Sequence, residues 1–315
     1  MKDFLSIQNV DSIADLVQLA LDVKKQPLAY KNRGMGKTLG LVFFNPSLRT
    51  RMSSQKAAYN LGMNVIVMNI NSDGWALEWE DGTVMDEGSQ EHIKEAAGVL
   101  SQYCDIIGVR SFPSLKSRCD DYSEKVIRSF KKHASKPIIS LESATRHPLQ
   151  GFTDLVTILE RSVNKLPRVV LTWAPHPKVL PQAVANSFVT WMKAGGVLLS
   201  IANPPGFDLD PELTKGVEIY HDQAAAFKNA DYVYAKNWSS YENYGMATNE
   251  HHDWIVNTSK MDLTNNGKFM HCLPVRRNVV VEDTVLDSST SLVLEQANNR
   301  TYTAQAVLIK LLAHA

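Results

Sequence analysis

The chain has 315 residues, of which 44% are hydrophobic and 21% are charged, and its 33 basic and 33 acidic side chains give no net formal charge. These values are typical of a globular protein with two domains, and zero net charge argues against binding of nucleic acid through bulk electrostatics. No apolar run approaches the roughly 20 residues that span a bilayer, and the start, MKDFLSIQNV, lacks a signal-peptide pattern. Three scattered cysteines support neither a disulfide scaffold nor a zinc site. We expect a cytoplasmic protein without a nucleic-acid or membrane partner.

The hydrophobic pattern of the first half predicts helices that alternate with short strands. A helical stripe runs from Val10 to Val23, with Asp11 and Ser12 as candidate capping residues. The predicted strands are 39–44, 65–68, 106–109 and 138–141, and the predicted helices between them are 51–61, 91–103 and 121–132. This alternation indicates a parallel sheet with helices on both faces.

The same pattern restarts after a predicted bridging helix at 152–162. The predicted strands are 169–173, 197–201, 217–220, 232–234 and 269–272, with helices at 180–194, 222–228, 281–286 and 303–312. We therefore predict an α/β protein with two doubly wound parallel-sheet domains. The first is residues 1–145, with a C-terminal helix, 300–315, docking back on it, and the second is residues 146–299. Such folds bind ligands at the carboxyl ends of strands, so we expect the active site in the cleft between the domains.

Three polar clusters follow predicted strands at these carboxyl ends. The tetrapeptide SLRT at Ser47–Thr50 precedes a predicted helix, whose N-terminal N–H groups and dipole attract a phosphate. His147 and Gln150, in an H-P-x-Q sequence, can polarise a carbonyl and hold an amide. The third cluster is HCLP at His271–Pro274, followed by two arginines. Taken singly, each cluster is also compatible with a helix cap, a turn or core packing.

Taken together and in this order, the clusters resemble the aspartate/ornithine carbamoyltransferase family. Its S-x-R-T motif appears at Ser47–Thr50, its H-P-x-Q motif at His147–Gln150, the H-C-L-P of the ornithine branch at His271–Pro274 and a late arginine at Arg300. The S-M-G loop that grips free ornithine is absent, since residues 231–238 read DYVYAKNW. That segment, the Pro-rich loop 174–181 and HCLPVRRN at 271–278 are similar to the branch that carbamoylates N-acylated ornithines. The resemblance implies a knotted second domain, a homotrimer with shared active sites, no cofactor and no metal.

The resemblance also implies a role for each matching residue in the transfer of a carbamoyl group from carbamoyl phosphate to an amine. The positions that would bind the phosphate are Ser47, the Leu48 backbone, Arg49, Thr50, Arg300 and, from a neighbouring subunit, Trp75. The catalytic groups that would share the developing oxyanion are Arg110, His147 and Thr50. The carbamoyl NH₂ would be held by Gln150 and by the backbone carbonyls of Cys272 and Leu273. The departing phosphate can accept the amine proton, so no general base from the protein is required.

The second substrate would be an N-acylated ornithine. The positions that match the acceptor site of the branch are Glu142, His176, Lys236 and Arg276. Lys236 and Arg276 suit the α-carboxylate, and the loop Met85–His92 would line the acyl group. Acetyl-using members carry Glu at the position of Gln90, and that charge would repel the terminal carboxylate of a succinyl group. Gln90 is neutral, and Arg276 and Arg277 could offset the added charge, so we expect N-succinylornithine as the acceptor, in arginine biosynthesis.

Three alternatives remain open from the sequence. The nearest is an N-acetylornithine carbamoyltransferase. An ordinary ornithine carbamoyltransferase is disfavoured by the missing S-M-G loop. A catalytically silent sensor of carbamoyl phosphate could lose the oxyanion donors, and their retention at Arg110 and His147 argues against it.

Overall fold

The computed structural model describes residues 1–314, with Asn71 described by its backbone only. The chain forms two compact units. Unit 1 contains residues 1–113, 120–149 and the segment from Arg300 onward, and unit 2 contains residues 114–119 and 150–299. Among the described residues, no helix is long and apolar enough to cross a membrane.

Unit 1 is built on parallel strands. They are β1 (Thr38–Phe43), β2 (Asn64–Asn69), β3 (Leu77–Glu78), β4 (Glu91–His92), β5 (Ile106–Arg110) and β6 (Ile138–Glu142). The main sheet has the order β2-β1-β5-β6, and β3 pairs with β4 in a small second sheet. The helices of this half of the chain are α1 (Ile13–Lys25), α2 (Arg49–Asn60), α3 (Ile70–Asp73), α4 (Ile93–Tyr103), α5 (Arg118–Tyr122) and α6 (Lys125–His133), with a 3₁₀ turn at Ile7–Asn9.

The core of unit 1 follows from the apolar runs of its strands. Strands β5 and β6 are buried along their whole length, whereas β2, at the sheet edge, is only partly buried. The other edge is covered at Phe4, which exchanges backbone hydrogen bonds with Ile138 and Ser140 of β6. Helix α1 buries the stripe that the sequence predicts, and the Ser12 hydroxyl accepts a hydrogen bond from the Asp15 N–H at its start.

Unit 2 is built on a five-stranded parallel sheet. Its strands are β7 (Arg168–Trp173), β8 (Leu198–Ala202), β9 (Glu218–Tyr220), β10 (Tyr232–Lys236) and β11 (Lys268–Met270), in the order β11-β10-β7-β8-β9. The helices of the second half of the chain are α7 (Pro148–Arg161), α8 (Ala183–Ala194), α9 (Pro211–Thr214), α10 (Gln223–Phe227), α11 (Thr258–Met261), α12 (Asp283–Leu286) and α13 (Val293–Leu312), with a 3₁₀ turn at His252–Trp254. The prediction of an α/β fold with two parallel sheets is confirmed.

Two helices differ from their predicted bounds for identifiable reasons. The predicted helix at 121–132 is broken between α5 and α6, where Glu124 takes a left-handed backbone conformation, with φ +55°. Helix α13 begins at Val293 rather than near Thr303 because its first turns bury polar side chains that hydrophobic periodicity does not detect. One of them is Asn299, whose Nδ2 donates a hydrogen bond to Thr157 Oγ1 at 3.0 Å.

Candidate active site

The order of the strands defines one ligand-binding point in each sheet. In unit 1, β1 has β2 on one side and β5 on the other, so the connections that leave β1 and β5 diverge. In unit 2, β7 lies between β8 and β10 in the same manner. Parallel sheets bind ligands at such switch points, outside the carboxyl ends of the strands. Of the predicted site residues, Ser47–Thr50 follow β1, Arg110 ends β5, His176 follows β7 and Lys236 ends β10. The neighbouring strands carry the next group, because Glu142 ends β6, His147 and Gln150 follow it, and Cys272, Leu273 and Arg276 follow β11.

The SLRT segment forms the entry to α2, directly after β1. The Ser47 hydroxyl accepts a hydrogen bond from the Thr50 N–H at 3.2 Å, and the Leu48 side chain is exposed at the cap position. The helix begins at Arg49. The N–H groups of its first turn and the positive end of its dipole therefore lie beside the Ser47 and Thr50 hydroxyls, which is an arrangement that attracts anions.

Thr50 is contacted by two buried arginines from distant parts of the chain. Arg110 Nη1 donates to Thr50 Oγ1 at 3.2 Å, and Arg300 Nη2 donates to the same oxygen at 2.7 Å. Arg110 ends β5, and Arg300 lies in α13. Two buried guanidinium groups beside a helix N-terminus create the positive potential that a phosphate dianion requires.

Glu142 and His147 complete this cluster in unit 1. Glu142 Oε2 lies 2.6 Å from Arg110 Nη1 and 3.6 Å from His147 Nε2. A register shift at Val109–Arg110 pairs Arg110 with Glu142 across the two strands, and the Phe112 ring lies 4.7 Å from the guanidinium. The Glu142 carboxylate therefore holds the orientation of Arg110, and the acceptor role that the sequence assigns to Glu142 stays a prediction.

The His147 imidazole is uncharged in this environment. Burial lowers its pKa well below 6.5, and the charges of Arg300 and Arg110 lower it further. A neutral imidazole keeps one ring N–H as a donor. His147 can therefore donate a hydrogen bond to an oxyanion while it carries no charge itself.

Trp75 and Gln90 lie on the segment between α3 and β4. Trp75 is 61% exposed and lines a pocket of about 560 Å³ together with Phe44 and Phe112. Gln90 is exposed, and its N–H donates to the Ala76 carbonyl at 3.0 Å. The two predicted residues are thus brought together at the base of one loop, and neither belongs to the Arg110 cluster.

In unit 2, Gln150 and the HCLP loop occupy separate elements joined by hydrogen bonds. Gln150 is buried in the first turn of α7, and its Nε2 donates to Asp154 Oδ1 at 2.7 Å. Leu273 has φ +55°, precedes a cis proline peptide, and donates its N–H to His271 Nδ1 at 2.8 Å. The loop has a defined shape in which the Leu273 N–H is used internally.

The predicted acceptor residues His176, Lys236 and Arg276 are brought together in unit 2. Arg276 Nε donates to His176 Nε2 at 3.1 Å, so the ring proton is on Nδ1, which lies 2.8 Å from the Lys178 carbonyl oxygen. Burial lowers the pKa of His176, and the charges of Lys236 and Arg276 contribute to that shift. Lys236 is buried at the end of β10 and has no carboxylate partner within residues 1–314. Lys236 and Arg276 are therefore suited to bind a carboxylate together.

Arg277 differs from Arg276 although the two are adjacent. Its guanidinium pairs with Asp283 at 2.7 Å and with Asp287 at 2.6 Å, and these hydrogen bonds raise its pKa. The Arg277 guanidinium thus forms ion pairs with two carboxylates of its own unit. Of the two arginines, only Arg276 is available to offset the charge of a bound acid.

Three buried side chains that support these loops were missed by sequence reasoning. Glu124 holds the turn after β6, and Asp154 and Gln296 connect α7 with the HCLP loop. Asp154 could have been found, because a residue four positions after Gln150 lies on the same face of a helix. No local pattern distinguishes Glu124 or Gln296.

Comparison with known proteins relates both halves of the chain to one family. Residues 2–160 match the carbamoyl-P binding domain of the aspartate/ornithine carbamoyltransferases, and residues 181–311 match their Asp/Orn binding domain. The N-succinylornithine carbamoyltransferase of Bacteroides fragilis is 48% identical, over 99% of both chains. The N-acetylornithine carbamoyltransferase of Xanthomonas axonopodis pv. citri is 37% identical, over 100% of this chain and 98% of its own.

The solved structures that are similar to this chain include transcarbamylases that act on acetylornithine. Acetylornithine transcarbamylase complexed with acetylcitrulline superposes with a TM-score of 0.93 at 35% identity, over 99% of both chains. A Glu-to-Ala mutant of N-acetyl-L-ornithine transcarbamylase complexed with carbamyl phosphate and N-succinyl-L-norvaline also has a TM-score of 0.93, at 34% identity, over 99% of this chain and 100% of its own.

Proposed function

The chain is a carbamoyltransferase of the aspartate/ornithine carbamoyltransferase family, in its N-acylornithine branch, and from this premise we propose that its acceptor is N-succinyl-L-ornithine. The reaction transfers the carbamoyl group of carbamoyl phosphate to the side-chain amine and yields N-succinyl-L-citrulline and phosphate, as a step of arginine biosynthesis in the cytoplasm. The observation that carries the transfer is the convergence of Arg110 and Arg300 on Thr50 at the start of α2, beside the neutral His147.

In the proposed mechanism the phosphate is bound at the entry to α2 and carries the carbamoyl carbonyl with it. The phosphate ligands are Ser47, the Leu48 backbone, Arg49, Thr50 and Arg300. The amine nitrogen attacks the carbonyl carbon, the bond from that carbon to the phosphate oxygen breaks, and the phosphate accepts the amine proton. Arg110, Thr50 and the His147 N–H donate hydrogen bonds to the oxyanion as it forms. Glu142 holds Arg110 in the required orientation.

On the acceptor side, we assign the α-carboxylate to Lys236 and Arg276, and His176 keeps the Arg276 guanidinium in place. Trp75 completes the phosphate site of a neighbouring subunit in a homotrimer. The knot in the second half of the chain also stays a prediction from the family resemblance.

The choice of the succinyl group is supported by two observations. Two N-succinylornithine carbamoyltransferases are 48% and 46% identical to this chain, against 37% for the N-acetylornithine enzyme of Xanthomonas axonopodis. Gln90 is neutral, and the relative that was crystallised with an N-succinyl ligand has a glutamate replaced by alanine. Both facts agree with the idea that a glutamate in the acyl pocket disfavours a succinyl group.

The proposal is tested by initial rates with carbamoyl phosphate and each of three acceptors: ornithine, N-acetylornithine and N-succinylornithine. We expect the highest kcat/KM with N-succinylornithine. A higher value with N-acetylornithine would overturn the assignment of the acyl group, and a higher value with ornithine would overturn that of the branch. Binding of carbamoyl phosphate without turnover of any acceptor would indicate a sensor.

Replacing Gln90 by Glu tests the basis of acyl selection. We expect Gln90→Glu to weaken succinylornithine relative to acetylornithine in kcat/KM, because two carboxylates about 4 Å apart repel by about 1–4 kcal/mol at the effective dielectric constants of protein surfaces and water. Gln90→Met is the matched control, since it is neutral and of similar size, and it should retain the preference. An unchanged preference in the Glu variant would contradict the charge argument.

A further inference from the structure

A buried polar network in unit 2 connects α7, α13 and the loop after β11. Asp154 lies one helical turn after Gln150 and is completely buried. Its Oδ1 accepts hydrogen bonds from Gln150 Nε2 at 2.7 Å and from Gln296 Nε2 at 2.6 Å. Tyr234 of β10 lies near the same carboxyl group. Burial raises the pKa of its phenol, and the charge of Asp154 raises it further.

This network sets the orientation of both amides. A carboxylate oxygen accepts hydrogen bonds, so each glutamine must turn its NH₂ toward Asp154 and its carbonyl oxygen away. For Gln296, the carbonyl oxygen then accepts the His271 N–H at 3.1 Å. For Gln150, the carbonyl oxygen then lies on the side of the amide away from Asp154.

A separate hydrogen bond shapes the HCLP loop itself. His271 Nδ1 accepts the Leu273 N–H at 2.8 Å. The peptide between Cys272 and Leu273 is trans, so the Cys272 carbonyl points in the direction opposite to that N–H and away from His271. Asp154 thus turns the Gln150 NH₂ into the network, and the Leu273–His271 bond directs the Cys272 carbonyl away from His271.

We propose that Asp154 is a positioning residue that makes this side of the site a surface of hydrogen-bond acceptors, and that it thereby selects a ligand NH₂ over groups of similar shape that cannot donate. The inference rests on the proposed function, in which Gln150 and the carbonyls of Cys272 and Leu273 hold the carbamoyl NH₂. Asp154 itself does not touch the substrate. It orients the Gln150 amide so that the carbonyl oxygen, and not the NH₂, faces the substrate. A site built to bond an NH rejects the analogue that lacks it, because its own buried polar groups are then left unpaired.

The test compares two stable ligands that differ only at this group. Phosphonoacetamide carries the NH₂, and acetonylphosphonate has a methyl in its place. By titration calorimetry, we expect the wild-type enzyme to bind the amide at least about tenfold more tightly, and Asp154→Leu to bind the two ligands within about threefold of each other. Affinity for inorganic phosphate should be the same in both proteins, because the phosphate ligands Arg49 and Thr50 lie in unit 1 and are untouched.

The matched control is Asp154→Asn. Its Oδ1 still accepts both glutamine NH₂ groups, so it should keep the preference for the amide. Should Asp154→Leu not fold, Asp154→Ser carries the same expectation, because a hydroxyl on so short a side chain does not reach both amides.

The possible failures separate the two proposals. If the wild-type enzyme does not distinguish the amide from the methyl ketone, the assignment of Gln150 and the loop carbonyls to the carbamoyl NH₂ is overturned, and the proposed function loses that support. If the wild-type enzyme does distinguish them and the variants that lack an acceptor still do, Asp154 is not the positioning residue. A loss of phosphate binding in parallel with the preference would also overturn the inference, since it indicates general structural damage.

Discussion

Arg110 and His147 lie on either side of Glu142 and differ in charge, because burial among cations keeps the imidazole neutral. A charged guanidinium binds an anion strongly in the ground state as well as in the transition state. A neutral N–H gains most when negative charge develops on the carbonyl oxygen. At the scale of single residues, Arg110 therefore contributes to binding and to rate, whereas His147 contributes chiefly to rate.

Replacement of His147 by Ala should lower kcat by about 10²–10³, the usual cost of losing one oxyanion donor, and leave the affinity for carbamoyl phosphate nearly unchanged. Steady-state kinetics and calorimetric titration measure the two quantities separately. His147→Gln retains an N–H donor and should lose less activity. Because the lowered pKa keeps the imidazole neutral above pH 6.5, kcat should show no titration step from His147 between pH 6.5 and about 8. Weaker binding at unchanged kcat would make His147 a ground-state ligand.

The turn between β6 and α7 connects Glu142, the last residue of the strand, with His147, and the Glu124 side chain holds this turn. The Glu124 carboxylate is buried and accepts hydrogen bonds from the Ser143 hydroxyl at 2.8 Å and from the Thr145 N–H at 2.9 Å. No lysine or arginine pairs with this carboxylate among the residues that the structure describes. Its contribution is therefore the shape of the turn.

We expect Glu124→Ala to destabilise the protein by about 1–3 kcal/mol, because buried donors of the turn lose their acceptor, and to lower kcat in the remaining folded enzyme. Urea unfolding gives the change in stability, and kinetics on folded protein give the change in rate. Glu124→Gln keeps one acceptor oxygen and serves as the control, with a smaller effect on both. Wild-type stability and kcat in the Ala variant would show that the turn holds its shape without Glu124.

At the scale of the whole molecule, the exposure of Trp75 is the feature that bears on assembly. An indole that is 61% exposed on a loop contributes little to the core of its own unit. If the homotrimer proposed above forms, Trp75 of one subunit and Arg49 of the next act at the same site. Activity then depends on how subunits are combined.

Mixing Trp75→Ala subunits with Arg49→Ala subunits, each nearly inactive alone, should restore activity at about a quarter of the sites under random exchange in a closed ring. Sedimentation gives the subunit number, and the rate before and after exchange gives the complementation. Mixing Arg49→Ala with Arg110→Ala is the control, because both residues belong to unit 1 of the same chain and no intact site can form. Absence of complementation in the first mixture, with exchange demonstrated, would contradict a shared site.

The sequence by itself determined the parallel-sheet architecture and the chemical types available to the site. Buried strands and amphipathic helices leave a hydrophobic pattern that can be read within a few residues, and SLRT, HPLQ and HCLP place anion and amide ligands next to predicted strand ends. Those features are local. For the same reason the sequence predicted that α1 is capped at Asp11 or Ser12, of which the structure shows Ser12, and that α2 starts beside Thr50.

Only the tertiary structure decided which of these residues work together. Strand order, which locates the switch points, is a matter of long-range pairing, as is the contact of Arg300 with Thr50. The ion pair between Glu142 and Arg110 likewise depends on a register shift between β5 and β6. Arg276 and Arg277 are indistinguishable in sequence, yet among the described residues only Arg277 is paired with neighbouring carboxylates. The physical reason is the same in each case: charge and hydrogen-bond partners depend on distances in space, and residues far apart along the chain set those distances.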